Sequence, residues 1–497
     1  MPTKKFSKFP PKQPDKSHIH IASPKRNWSK YQKDIFRDIN SGKGHTVVIA
    51  RAGSGKTSTI VEGFKYLPKG KKTLMVAFNK SIAEELKLRA PSYVDVMTLH
   101  SLGFRAIKQS FGADVVLEND KAHMLISTLI GDDRDMWEVN QSIAKCVSLC
   151  KGFLVDTPSK IGDLIDKFGI EIFDYSREKF TELVIKTLGL CKAKKNVVDF
   201  DDMIWFPFVY RLNVGKFDVV FVDEAQDLNA AQMAMVLSAN KVDGRIIAVG
   251  DPAQSIYQFR GADSEAIPNF ISKLEAKTLP LSVTYRCPKK VVALAQEIVP
   301  DIEAAENAPE GTVEEVPAEQ ILKLVQPGDF VLSRTNAPLV KHCMALLRAG
   351  IPANIQGRDV GSNLQYFIKK SKAKTIVAFT AYVNTWREQE VKRLLAEKKD
   401  TMAAIDKAEC LLNLCEGTLT IKDLKETIDR LFNDVNDTAK VIFSTTHKAK
   451  GLERDRVFVL TSTYRPGQGG EEANLWYVAV TRSKSELYLV KKYLSKQ

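Results

Sequence analysis

The chain contains 497 residues, 44% of them apolar, with 73 lysines and arginines against 60 aspartates and glutamates. That length predicts two to four domains rather than one core, and the net charge of +13 favours a polyanion as partner. Seven cysteines spread along a chain without a signal peptide argue against a disulfide framework. No apolar run reaches the ~18–20 residues that cross a membrane, so we expect a soluble protein without a membrane partner.

The first 27 residues contain seven lysines and arginines, five prolines and few large apolar side chains. Such a segment cannot bury enough apolar surface to fold alone, so we predict a disordered basic tail over residues 1–27. A solvating tail is the simplest interpretation, and phosphate contacts or an address signal are the alternatives.

A helical pattern at residues 28–42 is followed by an apolar strand and a glycine-rich turn, residues 47–59, which read VVIARAGSGKTST. The glycines let backbone amides point toward a polyphosphate, and the next helix adds its positive dipole end. Lys56 can reach the β- and γ-phosphates, and the Thr57 hydroxyl can complete the coordination of Mg²⁺. Ala50 replaces the usual first glycine, and a plain turn before a helix is the alternative. We predict that ATP contacts Ala52, Gly53, Ser54, Gly55, Lys56, Thr57 and Ser58.

Short apolar runs then alternate with amphipathic helices, which is typical of a parallel α/β sheet wound on the phosphate-loop pattern. The runs of this first series are Thr46–Ala50, Thr73–Phe78, Val94–Met97, Val219–Val222 and Ile246–Val249. The helix-like stretch from residue 106 to 198 is too long for a simple crossover. We therefore predict a helical insertion there.

A second series of strands and helices begins near Leu279 and is interrupted by a small helical insertion. Its strands are Thr312–Val316, Asp329–Ser333, Ile351–Gln356, Val441–Thr445, Val457–Thr461 and Glu486–Val490. The predicted fold is α/β, with two parallel-sheet domains that each carry a helical insertion. The predicted limits are 28–105 and 199–278 for the first sheet domain, 106–198 for its insertion, 279–362 and 438–497 for the second sheet domain, and 363–437 for its insertion.

Paired acids follow the apolar strand that begins at Phe217. A buried strand delivers Asp223 to the carboxyl edge of the sheet, where it can hold the Mg²⁺ shared with Thr57. Glu224 is then placed to orient and deprotonate the attacking water. The alternative for an Asp-Glu pair is a solvated strand end.

The next strand leads into Gly250-Asp-Pro-Ala-Gln-Ser-Ile-Tyr-Gln-Phe-Arg-Gly261. Gln254 has the amide needed to sense a γ-phosphate. Tyr257 and Phe259 stand next to the basic residue Arg260, a combination of stacking and charge that single-stranded nucleic acid favours. The alternative is that both aromatic residues belong to the core.

At this point the chain resembles the UvrD/Rep-like superfamily 1A DNA helicases, from about Trp28 to Val490. The segments that carry the resemblance are Gln32 in Tyr-Gln-Lys-Asp, Phe78-Asn79-Lys80, Thr98-Leu99-His100-Ser101, Asp199-Phe200-Asp201-Asp202, Asp223 to Asn229, Gly250 to Gly261, Thr284-Tyr285-Arg286, Thr446 to Glu453, and Tyr477 to Arg482.

The resemblance implies two RecA-like domains that close on ATP. It implies that Gln32 reads adenine, that Tyr285 stacks on it and that Arg286 touches the γ-phosphate. The implied catalytic residues are Lys56, Asp223, Glu224, Gln254, Arg286 and Arg482, with further nucleotide contacts at Gly451 and Glu453. The implied nucleic-acid contacts are Phe78, Asn79, Thr98, His100, Tyr257, Phe259, Arg260, Thr446 and His447.

The activity that the resemblance implies is ATP- and Mg²⁺-dependent movement from 3′ to 5′ on single-stranded DNA. The expected partners are single-stranded DNA, 3′-tailed duplex and other replication, repair or recombination proteins. The expected location is the bacterial or phage-infected cytoplasm at the nucleoid, or a eukaryotic nucleus. The alternatives are an ATP-switched single-strand binder, the motor subunit of a helicase–nuclease, and RNA as the track.

The sequence differs from the family pattern in three ways. Phe259 stands where the family usually has tryptophan, and both helical insertions look short. Only fifteen residues follow Arg482, which leaves little room for the hairpin that wedges duplex apart in larger relatives. We therefore expect the protein to translocate better than it opens long duplex, unless another loop such as Tyr464–Gly470 provides the wedge.

Overall fold

The computed structural model describes residues 27–131, 136–258, 261, 265–397, 399–432, 434 and 439–491. The predicted basic tail lies outside these residues except for Asn27. The strands are β1 (Thr46–Ala50), β2 (Thr73–Ala77), β3 (Val94–Thr98), β4 (Val116–Leu117), β5 (Val197–Val198), β6 (Phe217–Val222), β7 (Asn240–Gly250), β8 (Lys277–Leu281), β9 (Val283–Thr284), β10 (Glu303–Ala304), β11 (Thr312–Pro317), β12 (Phe330–Ser333), β13 (Ala353–Ile355), β14 (Val441–Thr445), β15 (Arg454–Leu460) and β16 (Ser483–Lys491).

Helices connect most of these strands. They are α1 (Lys30–Ser41), α2 (Lys56–Gly63), α3 (Lys80–Arg89), α4 (Leu99–Phe111), α5 (Lys121–Ile130), α6 (Trp137–Phe153), α7 (Pro158–Lys167), α8 (Arg177–Ala193), α9 (Phe200–Val209), α10 (Ala230–Ala239), α11 (Ala266–Leu274), α12 (Lys289–Ala295), α13 (Ile321–Leu324), α14 (Ala337–Arg348), α15 (Arg358–Ser371), α16 (Ile376–Ala396), α17 (Met402–Cys415), α18 (Ile421–Leu431), α19 (Thr446–Ala449) and α20 (Gly470–Val480).

The first sheet has six parallel strands in the order β3-β2-β6-β7-β1-β8. Its central strands are apolar and buried toward their carboxyl ends, as in Val219–Val222 of β6 and Ile246–Val249 of β7, because helices cover both faces of a parallel sheet. Val47 lies opposite Ala248, and Val76 lies opposite Val222. The carboxyl ends of β1, β6 and β7 therefore meet at one edge of the sheet.

The second sheet also has six parallel strands, in the order β11-β16-β15-β12-β14-β13. Phe330 lies opposite Ile442, and Val457 lies opposite Leu487. The prediction of an α/β fold with two parallel RecA-like sheets is therefore confirmed.

One predicted limit is wrong in detail. The second series was expected to begin near Leu279, but residues 279–281 complete β8 of the first sheet, where Leu279 pairs with Val48. The run is short and apolar on either assignment, so its sequence does not reveal which sheet edge it joins. The other domain limits stay predictions.

The two helical segments pack differently. Helices α5 to α8 share an apolar core of their own, with residues such as Ile143 and Phe180 fully buried. Helices α15 to α18 instead complete the core of the second sheet, where Phe379 and Leu411 pack in the same cluster as Val331. The second segment is thus an extension of its sheet domain.

A buried ionic cluster joins the first helical segment to α9. Lys121 Nζ lies 2.5 Å from Asp202, and Lys151 Nζ lies 2.8 Å from Asp199 and 2.9 Å from Asp202. Asp199 also caps α9 together with Asp202. The acidic segment singled out before β6 is therefore paired within the protein, and such a desolvated cluster loses much stability when one partner is removed.

Candidate nucleotide and nucleic-acid site

The glycine-rich turn connects β1 to α2 in the way that a phosphate-binding loop requires. Gly53 and Gly55 adopt left-handed backbone with φ of 70° and 79°, which glycine accepts without steric cost. A Cβ on Gly53 would lie 2.5 Å from Arg286 Cβ and from Thr284 Oγ1. The loop backbone is thus packed directly against the segment that carries Arg286.

The predicted catalytic acids and the loop lysine meet at the end of β6. Lys56 Nζ lies 2.9 Å from the Glu224 carboxylate, and Asp223 is buried beside them with 3% exposure. Burial opposes the charge on Lys56, but Glu224, Asp223 and Asp251 together raise the pKa of its amine. Burial and the neighbouring Glu224 raise the pKa of Asp223. Two carboxylates therefore compete for one loop cation.

The donor set fits a magnesium–triphosphate ligand. A cation bound beside Asp223 would offset the cost of its buried negative charge. The first turn of α2 carries Thr57 and Ser58 at the mouth of the loop. Ser54 Oγ is buried without a hydrogen-bond partner among the described residues. In the described part of the chain no cluster of three or more His, Cys, Asp or Glu side chains forms a metal cage, and Mg²⁺ bound with phosphates needs only one or two protein ligands.

Side chains carry the contact from the loop to the second sheet domain. Gln226 Nε2 donates to the Glu224 carboxylate at 2.6 Å and to Asp227 at 3.2 Å. Asp227 accepts from Lys450 Nζ at 2.6 Å, and the same amine donates to the Gln254 carbonyl at 2.7 Å. Lys450 follows α19 of the second domain, so a continuous polar chain crosses between the domains.

Two residues predicted to bind adenine lie together beside the loop. Gln32 belongs to the capping box of α1, and its Nε2 donates to Thr59 Oγ1 at 2.9 Å. The hydroxyl of Tyr285 lies 3.4 Å from Gln32 Oε1, and its ring is half exposed. The Gln32 side chain is buried and hydrogen-bonded to Ser29 and Thr59, so the Tyr285 ring is the accessible surface of this pair.

The two predicted arginines occupy the facing side of the site. Arg482 is 1% exposed, and its guanidinium donates to the Val478 carbonyl at 2.8 Å and approaches Gln254 Oε1 at 3.5 Å. Arg286 pairs with Glu453 and donates to the Thr481 carbonyl at 3.3 Å. Burial and the charge of Arg286 lower the pKa of Arg482. An anion bound beside the two guanidinium groups would therefore stabilise their charged forms.

The remaining predicted nucleotide contacts lie around the same cleft. Ala52 is buried, and its backbone N–H donates to the hydroxyl of Tyr477 at 3.0 Å. Gly451 takes left-handed backbone with φ of 86°, which lets the chain turn between Lys450 and β15. Gln254 is buried and donates to Asp251 at 2.8 Å. One cleft thus brings together the predicted contacts from both domains.

The predicted nucleic-acid contacts form an aromatic surface at the edge of this cleft. Phe78 and Tyr257 stack with ring centroids 6.4 Å apart and planes 9° from parallel. Lys450 Nζ lies 4.8 Å from the Tyr257 ring, and the Tyr257 hydroxyl donates to the His447 carbonyl at 3.0 Å. The lysine that reaches the nucleotide-site acids therefore also touches the aromatic surface.

Other predicted nucleic-acid contacts also make contacts within the protein itself. Asn79 caps α3 by accepting from Ile82 N–H at 2.9 Å. Thr98 caps α4, and His100 on its first turn lies edge-on to the exposed Phe200, 5.9 Å away.

Thr446 is fully buried and hydrogen-bonded to Tyr464. Its hydroxyl is therefore committed inside the protein. Phe259 and Arg260, the two remaining predicted strand contacts, lie outside the described residues.

Sequence reasoning did not single out Lys450, Asp227, Gln226 or Tyr477. Each lies inside a segment that carries the family resemblance, and that position was the available signal. The sequence does not reveal which residues they contact, because the partners are far apart in the chain. Lys450 is 223 positions from Asp227, and Tyr477 is 425 positions from Ala52.

Comparison with known families gives two matches. Residues 31–275 match the UvrD/REP helicase N-terminal domain, and residues 160–493 match the UvrD-like helicase C-terminal domain. Within the part of the chain that the structure describes, no helix has both the length and the apolar character of a membrane crossing.

Individual relatives are distant and longer. A probable DNA helicase II homolog of Mycoplasma pneumoniae is 25% identical over 57% of this chain and 44% of its own length. F-box DNA helicase protein 1 of Schizosaccharomyces pombe is 27% identical over 89% of this chain and 55% of its own length. ATP-dependent DNA helicase PcrA of Staphylococcus epidermidis is 28% identical over 55% and 40%. The chain thus spans about half the length of these relatives, and through its family matches it belongs to the UvrD/Rep helicase family.

Proposed function

We propose that this chain is an ATP-dependent DNA translocase and helicase that hydrolyses ATP between its two sheet domains and moves from 3′ to 5′ on single-stranded DNA. The observation that carries the proposal is the meeting of Lys56 and Glu224 with Arg286 and Arg482 in one cleft. The relatives named as DNA helicases support the same activity, and the direction rests on the family resemblance.

In the proposed cycle of ATP hydrolysis, Glu224 and the bound triphosphate first compete for Lys56. The Lys56 amine pairs with the Glu224 carboxylate, and this ion pair competes with the use of the carboxylate as a base. A bound triphosphate offers Lys56 a stronger anionic partner. Glu224 is then released to orient and deprotonate the attacking water.

Thr57 and Asp223 are the residues that would hold Mg²⁺. When bound, this ion supplies positive charge to the phosphate oxygens and lowers the cost of charge that develops during phosphoryl transfer. Arg286 and Arg482 act on the same charge from the other side of the cleft. Their withdrawal when the domains separate would lower the rate, so turnover is tied to domain closure.

The polar chain from Glu224 through Gln226, Asp227 and Lys450 is the proposed link to the DNA. Lys450 contacts both Asp227 and the Tyr257 ring. A change in charge at the nucleotide site therefore acts on a residue that touches the aromatic surface, where bases are expected to stack. Each round of closure and opening would then shift the strand.

Two families of substrates test the proposal. Streptavidin displacement from biotin at the 3′ or 5′ end of a single strand reports direction, and strand displacement on duplexes with a 3′ or 5′ tail reports unwinding. We expect displacement of 5′-end streptavidin and selective use of 3′ tails. Equal action on both ends would refute the direction, and matched RNA strands test the choice of sugar.

A nucleotide-switched DNA binder is the main competing function. It would need an ATP site without a working base, but Glu224 and both arginines stand at the cleft. Strand affinity that changes with ATP but without sustained turnover would favour the switch. A motor subunit of a larger helicase–nuclease would show the same turnover as our proposal and differ only in its partners.

A further inference from the structure

A groove of about 970 Å³ lies at the junction between the first helical segment and the first sheet domain. Its walls come from α8, from the second half of α9 with the residues after it, and from α10. None of the described residues that line it belongs to the predicted ATP or strand contacts. Phe200, the first residue of α9, lies beside His100, one of the predicted nucleic-acid contacts, and the groove lies toward the other end of that helix.

The groove combines an apolar floor with an exposed aromatic side chain. Ile185, Leu188 and Met235 line it. Phe208 is 54% exposed, although most of the apolar side chains of α9 are buried. An exposed aromatic residue beside an apolar floor is the usual anchor of a peptide interface.

The charges of the groove are almost all positive. Lys192, Arg211 and Lys216 line it, and Asp156 is the one acid among its described lining residues. Neither Lys192 nor Arg211 forms an ion pair with another described side chain, whereas Lys216 donates to the Asn240 carbonyl at 3.2 Å. Unneutralised cations around an apolar floor favour an acidic ligand with apolar side chains.

Two non-glycine residues of the groove have left-handed backbone, Leu154 with φ of 59° and Arg211 with φ of 51°. This conformation costs free energy and persists where the surrounding structure requires it, often at binding sites. Leu154 also packs against the cores of both the helical segment and the sheet domain. The shape of the groove is therefore set by the packing of the first helical segment against the first sheet domain.

We propose that this groove binds an acidic, amphipathic segment of a partner protein, with an apolar side chain seated beside Phe208 and carboxylates facing Lys192 and Arg211. The chain's own terminal segments are poor occupants because both are rich in lysine, which the cationic rim repels. Nucleic acid would satisfy the cations and could stack a base on Phe208, but it would leave the aliphatic floor of Ile185, Leu188 and Met235 uncovered. The partner would dock without occupying the track.

The test uses the intact protein and a fluorescein-labelled helical peptide of about 14 residues, with Leu and Phe at i, i+3, i+4 and i+7 and Glu elsewhere. A second peptide carries Lys in place of Glu. Fluorescence anisotropy measures both with the wild-type protein and with the variants Phe208→Ser and Lys192→Glu. Leu88→Ser and Lys87→Glu are the matched controls, since both residues are exposed on α3.

We expect the acidic peptide to bind and the lysine peptide to fail. Phe208→Ser and Lys192→Glu should each weaken binding about tenfold, while the two controls change it less than about twofold and all four variants keep strand-stimulated ATP turnover. Equal binding of the two peptides, or unchanged affinity in the folded Phe208→Ser variant, would overturn the proposal. Displacement of the peptide by a short single strand would reassign the groove to nucleic acid.

Discussion

At the scale of single residues, Glu224 shows how the fold prepares a side chain for chemistry. Its backbone has φ of 51°, a conformation that non-glycine residues adopt at a cost of about 1–3 kcal/mol. Its carboxylate lies between Lys56 and Gln226. Burial opposes its charge, but Lys56 and Lys450 together lower the pKa of Glu224. The carboxylate is therefore ionised, but a lowered pKa weakens it as a base, so transfer of Lys56 to a phosphate would raise its affinity for a proton.

Glu224→Gln should bind ATP but lose turnover by about 10²-fold or more, because the amide cannot accept the proton. Steady-state phosphate release measures turnover, and a fluorescent ATP analogue measures binding. Glu62→Gln, at a partly exposed position of α2 that pairs with Lys65, is the control and should leave turnover unchanged. Near-normal turnover in Glu224→Gln would remove this residue from the role.

Tyr257 allows its ring and its hydroxyl to be tested separately. Tyr257→Ala should weaken single-strand binding by about 1–3 kcal/mol, because a base loses its stacking surface. Tyr257→Phe keeps the ring and removes only the hydroxyl that contacts the His447 carbonyl, so its strand affinity should stay close to wild type. Equal losses in both variants would indicate that the hydroxyl contact, and not stacking, sustains binding.

The sequence was informative at this scale where chemistry depends on residue type. Lysine after a glycine-rich turn and acids after an apolar strand predicted that Lys56 and Glu224 would meet, because the carboxyl ends of parallel strands share one edge. The pairing of Lys450 with Asp227 was not predictable, since it depends on how two domains face each other. A lysine in a basic chain carries no signal of its partner.

At the scale of elements, close packing of α4 against α9 depends on Gly103. A Cβ there would lie 1.8 Å from the Met203 carbonyl oxygen, so either the helices separate or the backbone shifts. We expect Gly103→Ala to lower the free energy of unfolding by about 1–3 kcal/mol. Thermal or urea unfolding measures the change.

Gly189 gives the matched control for this substitution. It lies inside α8 with nothing within 4 Å of the added Cβ, so Gly189→Ala should stabilise the protein by about 0.5–1 kcal/mol through helix propensity. If Gly103→Ala and Gly189→Ala had the same free energy of unfolding, α4 and α9 could not pack as closely as the structure shows.

Strands and helices were predicted well where apolar runs are long and bounded by turns. Most strands of both sheets lie within a few residues of the runs read from sequence, because buried parallel strands need continuous apolar stretches, whereas β7 begins at Asn240 rather than Ile246. The edge strand β8 was assigned to the wrong sheet, since its position depends on the open edge beside Val48. The sequence predicted a small helical insertion but not that its apolar faces pack into the core of the second sheet.

At the scale of the whole molecule, the two helical segments also touch each other. Trp137 stacks on Tyr366 with ring centroids 4.2 Å apart, and Arg393 lies 3.1 Å from Glu171. These contacts, like the Lys450 chain, join parts that belong to different sheet domains. The two halves of the protein are therefore joined by contacts between the helical segments as well as by the Lys450 contacts.

The central proposal is that ATP is hydrolysed in a cleft that both domains complete and that this turnover is coupled to a bound single strand. Arg286→Ala removes one residue of the facing side, and Arg89→Ala, on the surface of α3 and paired with Glu85, is its control.

The most direct measurement is ATP turnover of the wild type and both variants, with and without saturating single-stranded DNA, alongside strand affinity without nucleotide. We predict that the strand stimulates wild type and Arg89→Ala at least about tenfold, and that Arg286→Ala loses most of this turnover while its strand affinity stays nearly unchanged. Turnover that ignores the strand in the wild type, or that survives in Arg286→Ala, would contradict the claim.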